Sequence, residues 1–416
     1  MQYLQLPFAE LEEQQQRMLL ACSDSHKSTE ISYMKKTLLA AALLAGFATA
    51  GVAQAETSVT LYGILDTGYG YQNFKNNHEG ADYRARSSGL RSGFVDGNRW
   101  GLKGAEDLGG GLSAIFTLEN GFNIGTGSLD GGNMFNRQAF VGLSSDQWGA
   151  LTLGRQYSAG VDTSMGEEMN GLGNFDKVAG GMGLGSGTRV NNSFKYTTPS
   201  FSGFKGVLMY GTGSTANSNS TWVIRDGNLP NTDVKDRGAR LSVGASYSNG
   251  PLGIGAAYDR QSVYGQDVNG RNVNAMTAWD INGSYDFEVV KLSLMFGQDR
   301  NGKINWNGDA TDLSGYAVPN LANGYQDFKS NNWGVTLSAP VGPGRLFAVY
   351  NGSHSNLKDD DKWGSKAGNI NAYQLQYQYP LSKRTKIYTY ASYMQNVGYV
   401  KDLKGTEAGI GINHRF

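Results

Sequence analysis

Between Gly160 and Gly187 lie 28 residues with nine glycines, the acids Asp162, Glu167, Glu168 and Asp176, and a single base, Lys177. Arg137 precedes this stretch and Arg189 follows it. A structureless loop of that length inside a compact domain is uncommon and usually functional. Acids on a loop between flanking bases can build an electric field. They do not by themselves build a catalytic centre. Beyond residue 55 the histidines are His78, His354 and His414. The first two fall in loop-like stretches and the third near a short turn, so no nucleophile–base pattern forms. No Walker-type loop, zinc-type histidine spacing or EF-hand loop occurs, and isolated G-x-G pairs are expected by chance among 59 glycines. No cofactor or metal is implied.

The elements that must position these charges alternate with period two from end to end. In "AYQLQYQYP", Tyr373, Leu375, Tyr377 and Tyr379 share one face and Gln374, Gln376 and Gln378 the other. In "NWGVTLSAP", Trp333, Val335, Leu337 and Ala339 oppose Gly334, Thr336 and Ser338. Polar faces are rich in Arg, Lys and Gln, while apolar faces end in Tyr, Trp or Phe. That is the pattern of lipid-facing bands with aromatic girdles around a polar interior. Short turns ("EDLGGGLS", "SDQWGA", "PSFSGF", "SNGPLG", "PLSKRT") alternate with long connections, Asn73–Phe94, the Gly160–Gly187 stretch, Ser214–Arg237, Arg300–Lys329 and Asn356–Lys366. Sixteen strands are expected, starting near Val59, Asn98, Gly111, Phe135, Ala150, Thr188, Phe204, Ala239, Leu252, Ala275, Val289, Asn332, Arg345, Asn371, Lys386 and Glu407. The fold expected is all-β, a 16-stranded antiparallel transmembrane barrel with both termini at the tight-turn end.

Composition agrees. The 416 residues carry 36 bases and 36 acids, with mean hydropathy −0.42, which argues against a nucleic-acid binder. Met34–Ala55, "MKKTLLAAALLAGFATAGVAQA", has a basic start, an apolar run and a small-residue cleavage site, and reads as a secretory signal. Residues 1–33 read as an extension upstream of the true start at Met34, and 56–416 as one barrel domain. Cys22 would leave with the signal, so no disulfide framework is expected.

The segments "LYGILDTGYGY", "NRWGLKGAEDLGGGLSAIFTLENGF", "FNRQAFVGLSS", "GALTLGRQY", "TRVNNSFKYTTPSFSGF", "YPLSKRT" and "GINHRF" resemble, in order, the Gram-negative general porins of β-proteobacterial type. The resemblance implies a homotrimer in the outer membrane, in contact with its lipid and lipopolysaccharide. It also implies that the third loop, here Gly160–Gly187, folds inward, and that the terminal Phe416 is read as an assembly signal. His414 departs from the family's usual aromatic or apolar residue there. The family's pore constriction maps its basic wall onto Arg99, Arg137 and Arg189; Lys103 and Lys195 are further candidates for the same wall from this sequence's own pattern. Its loop acids map onto Asp162, Glu167, Glu168 and Asp176.

Alternation gives its own reading of these bases. Arg99 opposes Trp100 and Leu102, Arg137 opposes Phe140, and Arg189 and Lys195 oppose Val190, Phe194 and Tyr196. Bases on a wall facing acids on a loop make a transverse field, which orients dipolar solutes and disfavours apolar ones. The expected function is passive diffusion of small hydrophilic solutes and ions with weak charge preference, leaning toward anions. Asp162 is expected on the descending limb of the loop, paired with a wall base. Arg155 shares the apolar phase of Leu151 and Leu153, which places it either at a strand end near headgroups or against a neighbouring subunit, where it is a trimer-interface candidate. The alternatives are a solute-specific channel, an outer-membrane barrel enzyme and a soluble secreted β protein.

Overall fold

The computed structural model describes residues 57–78, 81–165, 189–212, 239–263, 270–304, 321, 324–358 and 367–416. The extension and signal segment, and the loop acids Glu167, Glu168 and Asp176, lie outside the described residues. Two units are distinguished, and the second comprises Glu56–Asp107 and Gly111–Phe416. Of the first, the described part is Leu108–Gly110.

The second unit is a closed antiparallel barrel. Its first strands are β1 (Thr57–His78), β2 (Ala81–Ser92), β3 (Arg99–Gly109), β4 (Leu112–Gly121), β5 (Gln138–Ser145), β6 (Gly149–Tyr157), β7 (Arg189–Thr197) and β8 (Phe204–Gly211). They are followed by β9 (Arg240–Asn249), β10 (Leu252–Gln261), β11 (Met276–Asp286), β12 (Lys291–Arg300) and β13 (Lys329–Val341). The last are β14 (Gly344–Ser355), β15 (Ile370–Pro380), β16 (Thr385–Gln395) and β17 (Lys404–Arg415). From β4 onward each strand pairs antiparallel with the next, and β17 returns to β1 from Ile64↔Arg415 to Lys75↔Lys404.

Among the described residues, seventeen strands fill sixteen positions, because β2 and β3 share one edge of β1. The outer half of β1 pairs with β2 (Thr67↔Ser92 to His78↔Ala81) and the inner half with β3 (Thr57↔Glu106 to Ile64↔Arg99). The stretch expected as a long loop, Asn73–Phe94, is therefore largely a hairpin that prolongs β1. Its polar residues on both faces give no period-two signal, since a strand rising above the apolar band needs no apolar face. Each of the sixteen expected starts falls within three residues of an observed strand start.

Burial is inverted relative to a water-soluble protein. In β13, Asn332, Thr336 and Ser338 are fully buried while Leu337 is 44% exposed. In β15, Gln376 is buried while Tyr373 and Leu375 are exposed. Such an outer surface is stable against hydrocarbon, where closure also pairs every strand edge. Rings gather near the short-turn end, as in Phe204–Tyr247 with centroids 4.4 Å apart and Tyr285–Phe287 at 4.6 Å. Two turns there are Gly-Pro pairs, Gly250-Pro251 and Gly342-Pro343, with glycine φ of 55° and 58°. Positive φ followed by proline's fixed negative φ fits a type II′ hairpin turn.

An apolar cluster sits at the long-connection end, made of Phe74, Leu321, Phe328, Ile370, Met394, Val397, Tyr399, Val400 and Leu403. Beneath it Lys303 is buried, with Nζ donating to Asp299 Oδ2 at 2.9 Å and to Asn332 Oδ1 at 3.1 Å. Burial works most strongly against the charge on Lys303, but Asp299 and Tyr399 beside it together hold the ammonium above the ordinary lysine range. Ser353 ties the network together, donating to Asn332 Oδ1 at 2.6 Å and meeting the Tyr399 hydroxyl at 2.5 Å.

Leu375→Arg is expected to cost roughly 2–4 kcal/mol of stability if its side chain meets the hydrocarbon midplane, measured by urea unfolding from lipid bilayers. Gln374→Arg, which points inward, should cost under about 1 kcal/mol, because charge on a wet interior is tolerated. Equal losses would contradict the assignment of faces.

Candidate functional site

One interior wall gathers arginines from separate strands. Arg99 opens β3 in phase with Gly101, whose inner side meets the Tyr62 ring. Its Nε donates to the Gly97 carbonyl at 2.9 Å. Arg137 lies just before β5, after a reversal at Phe135 with φ of 53°. Its Nε donates to Glu119 Oε1 at 2.7 Å, and its other end to the Tyr157 hydroxyl at 2.9 Å. Arg189, first residue of β7, donates to the same hydroxyl at 2.8 Å, with its guanidinium carbon 4.6 Å from the Tyr157 ring centroid. Gly121 leaves room for this arrangement, since a Cβ there would lie 3.2 Å from Arg137 Cδ.

The geometry leaves positive charge in excess. Glu119 offsets one guanidinium while also accepting from Tyr62 at 3.0 Å. Arg189 Nε is buried without a partner among the described residues. Guanidinium donors held in a fixed array suit carboxylate or phosphate-like anions.

The described start of the β6–β7 connection crosses to other strands. A short helix, α1 (Ala159–Asp162), is followed by Thr163–Met165. Ala159 N donates to Ser242 Oγ of β9 at 2.9 Å, and Met165 N to Asn282 Oδ1 of β11 at 2.8 Å. Ser242 and Asn282 are both buried inward-facing groups. Glycines form the ledge that receives it, because a Cβ on Gly255 would lie 1.9 Å from the Thr163 carbonyl oxygen, and one on Gly244 2.9 Å from Thr163 Oγ. Asp162 pairs with Lys195, whose Nζ lies 2.8 Å from Oδ2 and also donates to the Tyr157 carbonyl at 3.3 Å. Residues 166–188, with Glu167, Glu168 and Asp176, lie outside the described residues.

Of the expected bases, the structure brings Arg99, Arg137 and Arg189 together around Glu119 and Tyr157 and places Lys195 on Asp162. Lys103 lies apart. It is exposed toward the short-turn end, its Nζ 5.6 Å from the Tyr62 ring centroid. Arg155 is engaged within the chain, its Nε donating to the Asn136 carbonyl at 2.7 Å and a terminal nitrogen to Asn191 Oδ1. Phe416 sits over Gly63 on the outer face, and its backbone closes the β1–β17 seam with two bonds of 3.1 Å to Gly63. Strict alternation fails near Arg189. The register shifts between Gly154 and Gln156, so Val190 pairs with buried Gln156 and is itself buried instead of facing outward.

Sequence reasoning missed Tyr62, Glu119 and Tyr157. Glu119 opposes Leu118 in "TLENGF", which was signal enough; Tyr157 ends "GALTLGRQY" and became legible only through its two arginine partners.

Known proteins resemble this chain over most of its length. A family profile described as Gram-negative porin matches residues 40–399. An outer membrane porin protein of Bordetella pertussis is 39% identical over 405 residues, covering 92% of this chain and all of the relative. Outer membrane porin protein 32 of Delftia acidovorans is 32% identical, covering 87% of this chain and 90% of the relative. Among solved structures, an anion-selective porin from Comamonas acidovorans superposes with a TM-score of 0.62 at 25% identity, covering 87% of this chain and all of that one.

A nitroxide on Met165→Cys should give an immobilised spectrum in the otherwise native barrel. Adding Gly255→Val, whose side chain would collide with the Thr163 carbonyl, should sharpen the lines. An unchanged line shape would refute the close packing of this segment on the glycine ledge.

Proposed function

The chain belongs to the Gram-negative porins of the outer membrane, and on that premise we propose that it is a general-diffusion porin with a weak preference for anions. Its relatives are porins, which are channels rather than enzymes. The finer reading concerns what decides passage here. The observation that carries it is the sharing of one tyrosine hydroxyl by Arg137 and Arg189, with Arg99 on the same wall, beside the strand ends from which the Gly160–Gly187 stretch departs and returns.

In this reading the arginines and Lys195 form the basic wall of the constriction. Glu167 and Glu168 face them from the inward-folded third loop, with Asp176 a further acid on the same loop. Asp162 is already committed to Lys195 and acts as a tether more than as a charge seen by solutes. Lys103 contributes from the mouth. The fixed field orders water across the narrow section, so hydrophilic solutes that exchange hydrogen bonds with the wall pass more readily than apolar ones. The three guanidiniums against a single buried partner carboxylate support a lean toward anions, as does the anion-selective relative.

Export relies on the 34–55 signal, with Phe416 read during assembly. Three copies associate in the outer membrane among lipid and lipopolysaccharide, with Arg155 at the rim of the contact. The trimer form of one structural neighbour, the outer membrane protein OmpT of Vibrio cholerae (TM-score 0.52, 14% identical, covering 86% of this chain and 99% of that one), is of the same fold.

Planar-bilayer recording of the purified protein tests the whole reading. Conductance should rise in triplets, with reversal potentials close to those of a weakly anion-preferring pore. Glu167→Gln combined with Glu168→Gln should move the reversal potential further toward anions. A protein that never conducts is no porin, while conduction without that shift removes the two glutamates from the constriction.

A further inference from the structure

The segment joining β2 to β3, Gly93–Asn98, does not run over the surface. It is held against the interior by one carboxylate. Asp66, fully buried in β1, accepts from Phe94 N at 2.9 Å and Asp96 N at 3.2 Å, and from Tyr388 Oη at 2.7 Å and Asn413 Nδ2 at 2.8 Å. Asn98 completes the clasp, accepting from Asp66 N at 2.6 Å and donating to its carbonyl at 2.8 Å. Phe94 is 2% exposed, its ring centroid 5.3 Å from that of Tyr390, over the place where Gly70 has no side chain.

This strap carries one acid to the water side. Asp96 retains 21% of its side-chain exposure. Its Oδ2 lies 3.1 Å from Arg415 and accepts from Asn413 at 3.1 Å, while Oδ1 is 4.0 Å from Arg99. Lys386 faces the same spot, being paired in register with Asn413, and it donates to Gln378 at 2.9 Å. Asp96 thus stands between the arginine cluster and a second basic group, Arg415 and Lys386, toward the short-turn mouth. Asp66 is sealed among four donors, so Asp96 is the acid of the strap that passing ions can feel.

We propose that the strap forms a second charged station on the permeation path, and that Asp96 is its selectivity-determining residue. With Asp96 ionised, Arg415 and Lys386 are partly offset and anions are not held at the mouth after leaving the arginines. Without it, Lys386 and Arg415 merge with the arginine cluster into one continuous cationic track. Exposed charges act over about 10 Å at 0.1 M salt and about 3 Å at 1 M, so the station works mainly at low ionic strength. The inference rests on the channel reading above but concerns residues outside the loop–wall pair.

The test compares Asp96→Asn with the native protein in planar bilayers under a potassium chloride gradient. The anion-to-cation permeability ratio should rise about two-fold near 0.1 M, and the difference should vanish near 1 M. Arg415→Gln should move the ratio the opposite way, and Asp130→Asn, an exposed acid of the β4–β5 connection, should leave it unchanged. An unaltered ratio in a conducting Asp96→Asn channel overturns the proposal, as does a larger conductance with no salt-dependent change in selectivity, which would mark collapse of the strap. If Asp96→Asn does not fold, as judged by loss of heat-modifiable gel mobility, Arg415→Gln decides alone, since its guanidinium is half-exposed and its loss leaves the clasp intact. No shift with that variant also overturns the proposal. A native protein with no conductance would instead sink the channel reading itself.

Discussion

A backbone amide facing hydrocarbon has no water to bond, and the remaining architecture answers to that fact. The sheet must close, which it does through twelve register pairs between β1 and β17. Once closed, its outward positions are reserved for residues such as Leu337, Leu375 and Ile410, and any charge is confined to the interior. Interior crowding of Arg, Lys, Asp and Glu is thus less a choice than what remains after the outer face is assigned. Function grows from how these confined charges are paired and which are left in excess.

Two walls divide the labour. On the β3–β7 side, large cationic side chains meet around Tyr157, with Glu119 as their partner. On the β9–β11 side, Gly244, Gly253 and Gly255 withdraw so that backbone of the β6–β7 connection can lie against the strands. Asp162 and Lys195 link the two, since the acid rides on the connection and the base on β7. Bulk thus gathers on one wall and is absent from the other.

Much of this was legible. Period-two patterning located every expected strand start within three residues, because the membrane demands an apolar position at every second residue of a span. It also put Arg99 on the inner face. It failed where that demand lapses. β2 stands beyond the apolar band, with Arg84, Arg86, Ser87 and Ser88 all exposed, so it read as loop. At Gly154–Gln156 the register shift reverses the phase of Val190, and a local irregularity of this kind has no marker in the pattern. Asp66 was hidden for a different reason. Its partners Tyr388 and Asn413 are 322 and 347 residues away, and nothing local in "YGILDTGYGY" announces them.

Those distances bear on how the barrel comes into being. Asp66 can gather Tyr388 and Asn413 only when the last two strands have arrived, and the outer apolar cluster likewise joins Phe74 to Val397 and Leu403. Contacts of such separation carry the largest loop-closure cost and are the last to repay it. The seam is thus expected to form late and in one concerted step, with the Asp66 clasp and the Phe74 cluster acting as latches at two heights of the same joint. Until then the edges of β1 and β17 are open to pairing with other chains, so the interval before closure is when this chain most needs a chaperone or an assembly platform.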